Sequence, residues 1–255
     1  MSLWVVGAGP IEVLPDEVPR IVIFANGAVA HIPKFGNSVI KKWLMVPSNV
    51  YPHSPTALTY DSETYSAADD IAGMEEVREV IRTHSPYEKV IVRQSLGFPA
   101  HKTIDSLRKL ELAPEFYALT YSGILRIISR FMSPFELYSM VIGSEKIRLE
   151  SLKRLTSAKR MLSGPHSKPS TGVLAVLVAL EEVGQDEELH ILGITVDDAS
   201  YPFESAVFPG RDRHINADLN LLLAIRKKLP EQRLFIHDKA LRTATNWLDS
   251  STAVN

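Results

Sequence analysis

Six short apolar runs, each about one strand long, recur along the chain, and they restrict its fold more than any other feature. They are residues 3–6 (Leu-Trp-Val-Val), 20–24 (Arg-Ile-Val-Ile-Phe), 42–46 (Lys-Trp-Leu-Met-Val), 89–93 (Lys-Val-Ile-Val-Arg), 188–195 and 233–237. The runs are mostly continuous rather than alternating. Strands of that kind bury both faces, as in a parallel sheet covered on both sides. Helical patterns lie between them. Residues 74–83 carry Val77, Val80 and Ile81 on one face. Residues 171–183 are apolar almost all round until Glu181 and Glu182, which predicts a buried helix. Residues 217–229 alternate Leu219, Leu222, Leu223 and Ile225 with polar positions. Strands alternating with helices predict an α/β fold, a doubly wound, mostly parallel, Rossmann-like sheet. A chain of 255 residues accommodates it as a single domain, 1–255.

Composition removes several functions. There is no cysteine, so a disulfide framework, a thiolate metal site and a cysteine nucleophile are excluded. A formal net charge of −2 argues against a nucleic-acid partner. The first apolar run is too short for a signal peptide. No run reaches the ~18 apolar residues of a membrane helix. The expectation is a soluble, cytoplasmic protein, at most peripheral to the inner face of a membrane.

Residues 121–168 differ from the rest. They hold nine Lys/Arg against three Glu, a local charge of +6, while the remainder carries 19 basic against 27 acidic residues. Phe131, Phe135, Leu137, Tyr138 and Met140 precede the basic stretch 146–160. The pattern predicts a helical insert or lid. It is either a solvated hairpin or a surface for an anionic acceptor or anionic lipid.

Three local patterns are candidate sites. Gly7-Ala8-Gly9-Pro10 follows the first strand, where glycines allow a tight turn and close approach to a ligand. It is a poor dinucleotide fingerprint, because Glu12 stands where the third glycine belongs, and Asn26 and Gly27 occupy the stretch expected to supply an acidic ribose ligand. Lys168-Pro169-Ser170-Thr171-Gly172 opens the apolar helix. Ser170 or Thr171 is a natural N-cap, and the free N–H groups of a helix start favour a phosphate. A capped helix without a ligand reads the same way. Third, His214 lies just before a predicted helix, with Asp218 one turn further on. Histidine accepts protons near neutral pH. Asp218 either orients that imidazole or favours the helix start. No metal-ligand pattern and no paired-carboxylate spacing of a glycoside hydrolase is found.

The order of these blocks carries further information. Gly7-Ala8-Gly9-Pro10 follows the first strand, and Asn26 ends the next in Phe24-Ala25-Asn26-Gly27. Pro169-Ser170-Thr171-Gly172 opens an apolar helix. Leu192-Gly193-Ile194 ends the following strand, and His214 precedes a leucine-rich helix. Over about residues 3–50 and 165–240 the chain resembles the sialyltransferase-type glycosyltransferases, bacterial and animal. That resemblance implies a single-domain, GT-A-like arrangement and an inverting, metal-independent transfer from a CMP-linked nonulosonic acid, such as CMP-sialic acid, to a glycan or glycolipid. No cofactor beyond the CMP-sugar donor is implied. Gly7, Gly9, Pro10 and Asn26 would line the nucleotide pocket, and Asn49 would be a further donor contact. Ser170, Thr171 and Gly172 would hold the cytidine ribose and phosphate. His214 would be the general base. The family turn reads Gly-Asn-Gly-Pro-Ser, whereas Ala8 and Ile11 stand at the asparagine and serine positions here. The animal members carry a disulfide that a cysteine-free chain cannot form, so bacterial members are the nearer comparison. Two other readings stay open: an inactive nucleotide-binding or scaffold protein on the same fold, and an NAD- or FAD-linked enzyme using Gly7 and Gly9.

Overall fold

Side chains alternate along β1 (Ser2–Val6), sending Leu3 and Val5 to one face and Trp4 and Val6 to the other. All four are buried, so two layers must cover this strand. The computed structural model describes residues 1–11, 14–36, 41–50, 58–60, 63–65, 75–95, 99–142, 157–162, 169–194, 212–229 and 233–247. After β1 come β2 (Ile21–Ala25), a 3-10 helix (Asn26–Phe35), β3 (Lys41–Pro47), and an antiparallel pair of β4 (Leu58–Tyr60) and β5 (Glu63–Tyr65). Next are α1 (Glu75–Thr83), β6 (Lys89–Arg93), α2 (Ala100–Arg108), β7 (Glu115–Leu119), α3 (Tyr121–Phe131), α4 (Pro134–Ile142) and α5 (Ala158–Met161). The chain continues through α6 (Thr171–Glu182), β8 (Glu188–Leu192), α7 (Asp212–Lys228), β9 (Leu234–Ile236) and α8 (Lys239–Thr245).

Seven strands form one sheet in the order β7-β6-β3-β2-β1-β8-β9. Every pairing in it is parallel. The expected doubly wound α/β fold is therefore present. The chain steps outward from β1 to β7, then returns to add β8 and β9 on the other side of β1. Right-handed crossovers put helices on opposite faces for the two directions of travel. The 3-10 helix, α1 and α2 accordingly cover the Trp4 face, through Phe35, Val77, Ile81, Ile104 and Leu107. Helices α3, α6, α7 and α8 cover the Leu3 face, with α6 buried from Val173 to Ala179. The strand order reverses between β1 and β8, and ligands of open α/β sheets bind beside such a reversal, at the carboxyl edge.

The sequence expectations hold with shifted ends. The fifth run stops at Leu192 because Gly193 turns the chain with φ +61°. Strand β7 was not foreseen. It lies at the sheet edge, and its Glu-Phe-Tyr-Ala-Leu sequence leaves all but Leu119 partly or fully exposed. The start of the basic segment is helical, as expected, but α3 is no appendage. Tyr121, Ile124, Ile127 and Ile128 are buried in the main core, and α3 packs on α6 and α7. Residues 143–156 and 163–168, which hold much of the basic stretch, lie outside the described residues. Among the described residues no helix is long and apolar enough to cross a membrane.

The placement of α3 is testable. Ile128 is fully buried. Ile128→Ala should lower stability by about 2–4 kcal/mol in urea denaturation, the cost of truncating a packed core residue. A loss below about 0.5 kcal/mol would mean that α3 is detachable.

Candidate functional site

Parallel strands end on one edge, so the residues that follow them meet there. Gly7 follows β1, Asn26 follows β2, Ser48 and Asn49 follow β3, and Gly193 follows β8. Helix α6 runs back toward the start of β8, which brings its own start to the same edge. The hydrogen bond from Arg93 Nε, at the end of β6, to Thr171 Oγ1 (2.8 Å) confirms the placement. The structure thus gathers Gly7, Gly9, Asn26, Asn49, Ser170, Thr171 and Gly172 at the carboxyl edge.

The glycine turn has a packing reason. Gly7 N–H donates to Leu192 O at 2.8 Å, and Gly9 N–H donates to Gly193 O at 2.7 Å. A Cβ on Gly7 would stand 2.3 Å from Gly193 O, and one on Gly193 would stand 2.8 Å from both Gly7 O and Gly9 O. The glycines let two backbones touch across the strand-order reversal. The turn is pinned from the other side as well. Buried His31 donates from Nε2 to Gly9 O at 2.9 Å, and Lys34 Nζ donates to Ile11 O at 2.8 Å. Burial holds the His31 imidazole below the usual histidine range. Pro10 is exposed at the tip. A Cβ on Gly172 would meet the side chain of Ile194 at 3.3 Å, so the room left by this glycine receives Ile194.

The start of α6 is a buried polar cluster. Ser170 is the N-cap, and its Oγ accepts from Val173 N–H at 3.2 Å. Thr171 is buried, as is Arg93. Asp218, on α7, is buried too, and its Oδ1 accepts the Ser170 N–H at 2.8 Å. Asp218 therefore ties α7 to the start of α6. Its carboxyl is pushed up to about 7, chiefly by burial, while hydrogen bonds from Ser170 and the charge of Arg93 pull the other way. Burial likewise pushes the Tyr121 hydroxyl up to about 12, opposed by Arg93. In any helix the first N–H groups lack intrahelical partners, here those of Thr171 and Gly172, and they carry the positive end of the dipole. A phosphate is the chemistry such a start accepts.

Asn26 differs from the other polar groups. It sits at φ +53°, in the left-handed region that asparagine tolerates better than most residues. It is 8% exposed, and its Oδ1 is a buried acceptor with no hydrogen-bond partner among the described residues. Asn49, in contrast, is engaged within the protein: Ser95 Oγ donates to its Oδ1 at 3.4 Å. His214 falls in the first turn of α7. Its side chain lies outside the described residues.

Sequence reasoning overlooked Arg93, Tyr121 and His31, and it did not foresee the bond between Asp218 and Ser170. One signal was available. Arg93 ends an otherwise apolar buried strand, and a charge there needs partners. The contacts of Tyr121 and His31 join distant segments and left no local trace. Comparisons with family models, with curated proteins and with solved structures return no match.

Two outcomes follow. Gly7→Ala should lower stability by about 1–3 kcal/mol, measured by chemical denaturation, because the new methyl meets backbone rather than a pliable side chain. Stability equal to the parent would refute the contact. For Asp218, the folded pKa lies above the unfolded value of about 3.9. Its contribution is then present below that value and is lost as pH rises through about 7. The parent should lose stability relative to Asp218→Asn between about pH 4 and pH 7, by on the order of 4 kcal/mol at most, and level off above. A pH-independent difference between the two would contradict this.

Proposed function

We propose that this chain is a glycosyltransferase that takes a CMP-activated nonulosonic or related ulosonic sugar as donor and passes it, with inversion and without a metal, to a glycan or glycolipid hydroxyl. The single observation that carries the reading is Asn26. A buried acceptor without a partner costs about 1–3 kcal/mol, so native proteins rarely keep one idle. Its place at the carboxyl edge, in a left-handed backbone, suits an acceptor reserved for an N–H or O–H of a bound nucleoside. The start of α6 supports the phosphate half of the donor. Thr171 and Gly172 supply N–H groups, and the buried Arg93 guanidinium adds positive charge behind Thr171.

In the proposed reaction the acceptor oxygen attacks the anomeric carbon as the bond to the CMP phosphate breaks. The helix start takes up the charge that develops on the leaving phosphate, a form of stabilisation that is strong in a preorganised site. His214 accepts the proton of the incoming hydroxyl, a role that contributes about 10²–10⁴ in rate. The basic segment 121–168, with Phe135 76% exposed on α4, suits an anionic or lipid-linked acceptor at the inner face of a membrane.

A second reading, a nucleotide-binding scaffold without turnover, is favoured by one observation. Gly7, Gly193 and Ile194 fill much of the strand-order reversal with protein.

The test is a thermal-shift panel of CMP, UDP, GDP and NAD. CMP should raise the melting temperature and the others should not. Asn26→Gly, which suits the left-handed backbone, should keep the stability of the free protein yet weaken CMP binding by about 10-fold, the loss of one hydrogen bond. His214→Ala should bind CMP normally but release CMP from a CMP-sugar at least about 100-fold more slowly. Absence of CMP binding at millimolar concentration would defeat both readings. CMP binding without turnover of any CMP-sugar would leave the scaffold reading standing and remove the transferase.

A further inference from the structure

A second cluster lies toward the other edge of the sheet. His190 is central on β8 and pairs in register with Trp4 and Phe235. It is 6% exposed, on the face shared with Trp4. Glu188 precedes it by two residues, so both side chains leave the strand on one face. Glu17 comes from the connection between β1 and β2. His190 Nε2 is 2.8 Å from Glu17 Oε1 and 3.3 Å from Glu188 Oε2, and the three ligand atoms all lie within 4.8 Å of one another. On the far side of the ring, Nδ1 is 2.9 Å from Nε2 of His237, whose ring plane lies 14° from parallel to it. Because Glu188 pairs with Ser2, this cluster begins five residues, about 16 Å along the strand direction, from Gly7.

Two carboxylates facing one neutral imidazole make a site of charge −2. Arg20, three residues after Glu17, is engaged by Glu187 instead. A neutral imidazole has one proton. Placed on Nδ1, that proton finds its acceptor in His237 Nε2, which leaves the Nε2 lone pair aimed between the carboxylates. A ligating histidine is held in one tautomer and orientation by such a partner on its other ring nitrogen. Ligands held at about 2.0–2.2 Å from one small divalent ion stand about 3–3.5 Å apart, close to the two spacings between His190 and the glutamates. Both glutamate side chains are partly exposed, 39% and 46%, so an ion has a route in and room for water ligands.

We propose that Glu17, Glu188 and His190 bind one divalent transition-metal ion, oriented by His237, which ties the β1–β2 connection to β8. An imidazole in the set favours Zn²⁺ or Mn²⁺ over Mg²⁺ and Ca²⁺. The site is a structural clamp, independent of the reaction proposed above.

The experiment is calorimetric titration of the chelator-treated full chain with Zn²⁺, alongside thermal shift. One equivalent should bind and raise the melting temperature. Glu17→Gln together with Glu188→Gln should weaken binding by more than about 100-fold, since losing a residue that only supports a ligand costs about 10–100-fold. His237→Ala should weaken it by about 10-fold. Both glutamates are partly exposed, so the double variant should keep its fold, which circular dichroism verifies. A parent chain that takes up no Zn²⁺, or a double variant that binds it as tightly as the parent, overturns the proposal.

Discussion

Two backbone hydrogen bonds, Gly7 N–H to Leu192 O and Gly9 N–H to Gly193 O, join the loops that leave β1 and β8. The rest of the architecture turns on this junction. Here the direction of strand addition reverses, so the helices before it lie on one face and those after it on the other. The junction needs glycine on both sides, because a single Cβ on either loop would meet backbone. His31 and Lys34 of the 3-10 helix then fasten the turn to the β2 side. The turn at the carboxyl edge is thus held from both sides.

At that edge the start of α6 is electrostatically divided. Arg93 and the helix dipole make one side positive, while Asp218 takes the Ser170 N–H on the other. Asp218 is caught between burial, which favours its neutral form, and Ser170 and Arg93, which favour the charged one. His214 and Asp218 are four residues apart on α7, so whatever sets Asp218 also sets the base of the turn that carries His214.

Legibility varied with the range of the interaction. The α6 start was readable because its cause is local. A Ser-Thr-Gly triplet before a strongly apolar run is a helix N-terminus by capping chemistry alone, and Ser170 caps as expected. β1, β2, β3, β6 and β8 were readable because burial on both faces demands unbroken apolar runs. β7 was not, because an edge strand buried on little of its surface has no such demand. Gly7 and Gly172 were read as a tight turn or as room for a ligand, and the structure sets Gly193 and Ile194 where their Cβ atoms would stand. A missing Cβ signals that something comes close, and the local sequence does not say what. Arg93, His31 and the pairing of Glu17 with His190 link residues from 22 to 173 positions apart, beyond any periodicity.

By itself, then, the sequence determined the class of fold and the buried α6 helix with its cap. Hydrophobic periodicity and capping act over a few residues and are written in composition. Tertiary structure alone decided that Gly7 and Gly193 serve backbone contact, that Asp218 holds Ser170, that Asn26 is left with an unanswered acceptor among the described residues, and that two glutamates converge on His190. Each of those depends on strand order and on which segments meet across it, and parallel packing sets that through long-range burial rather than through any local residue pattern.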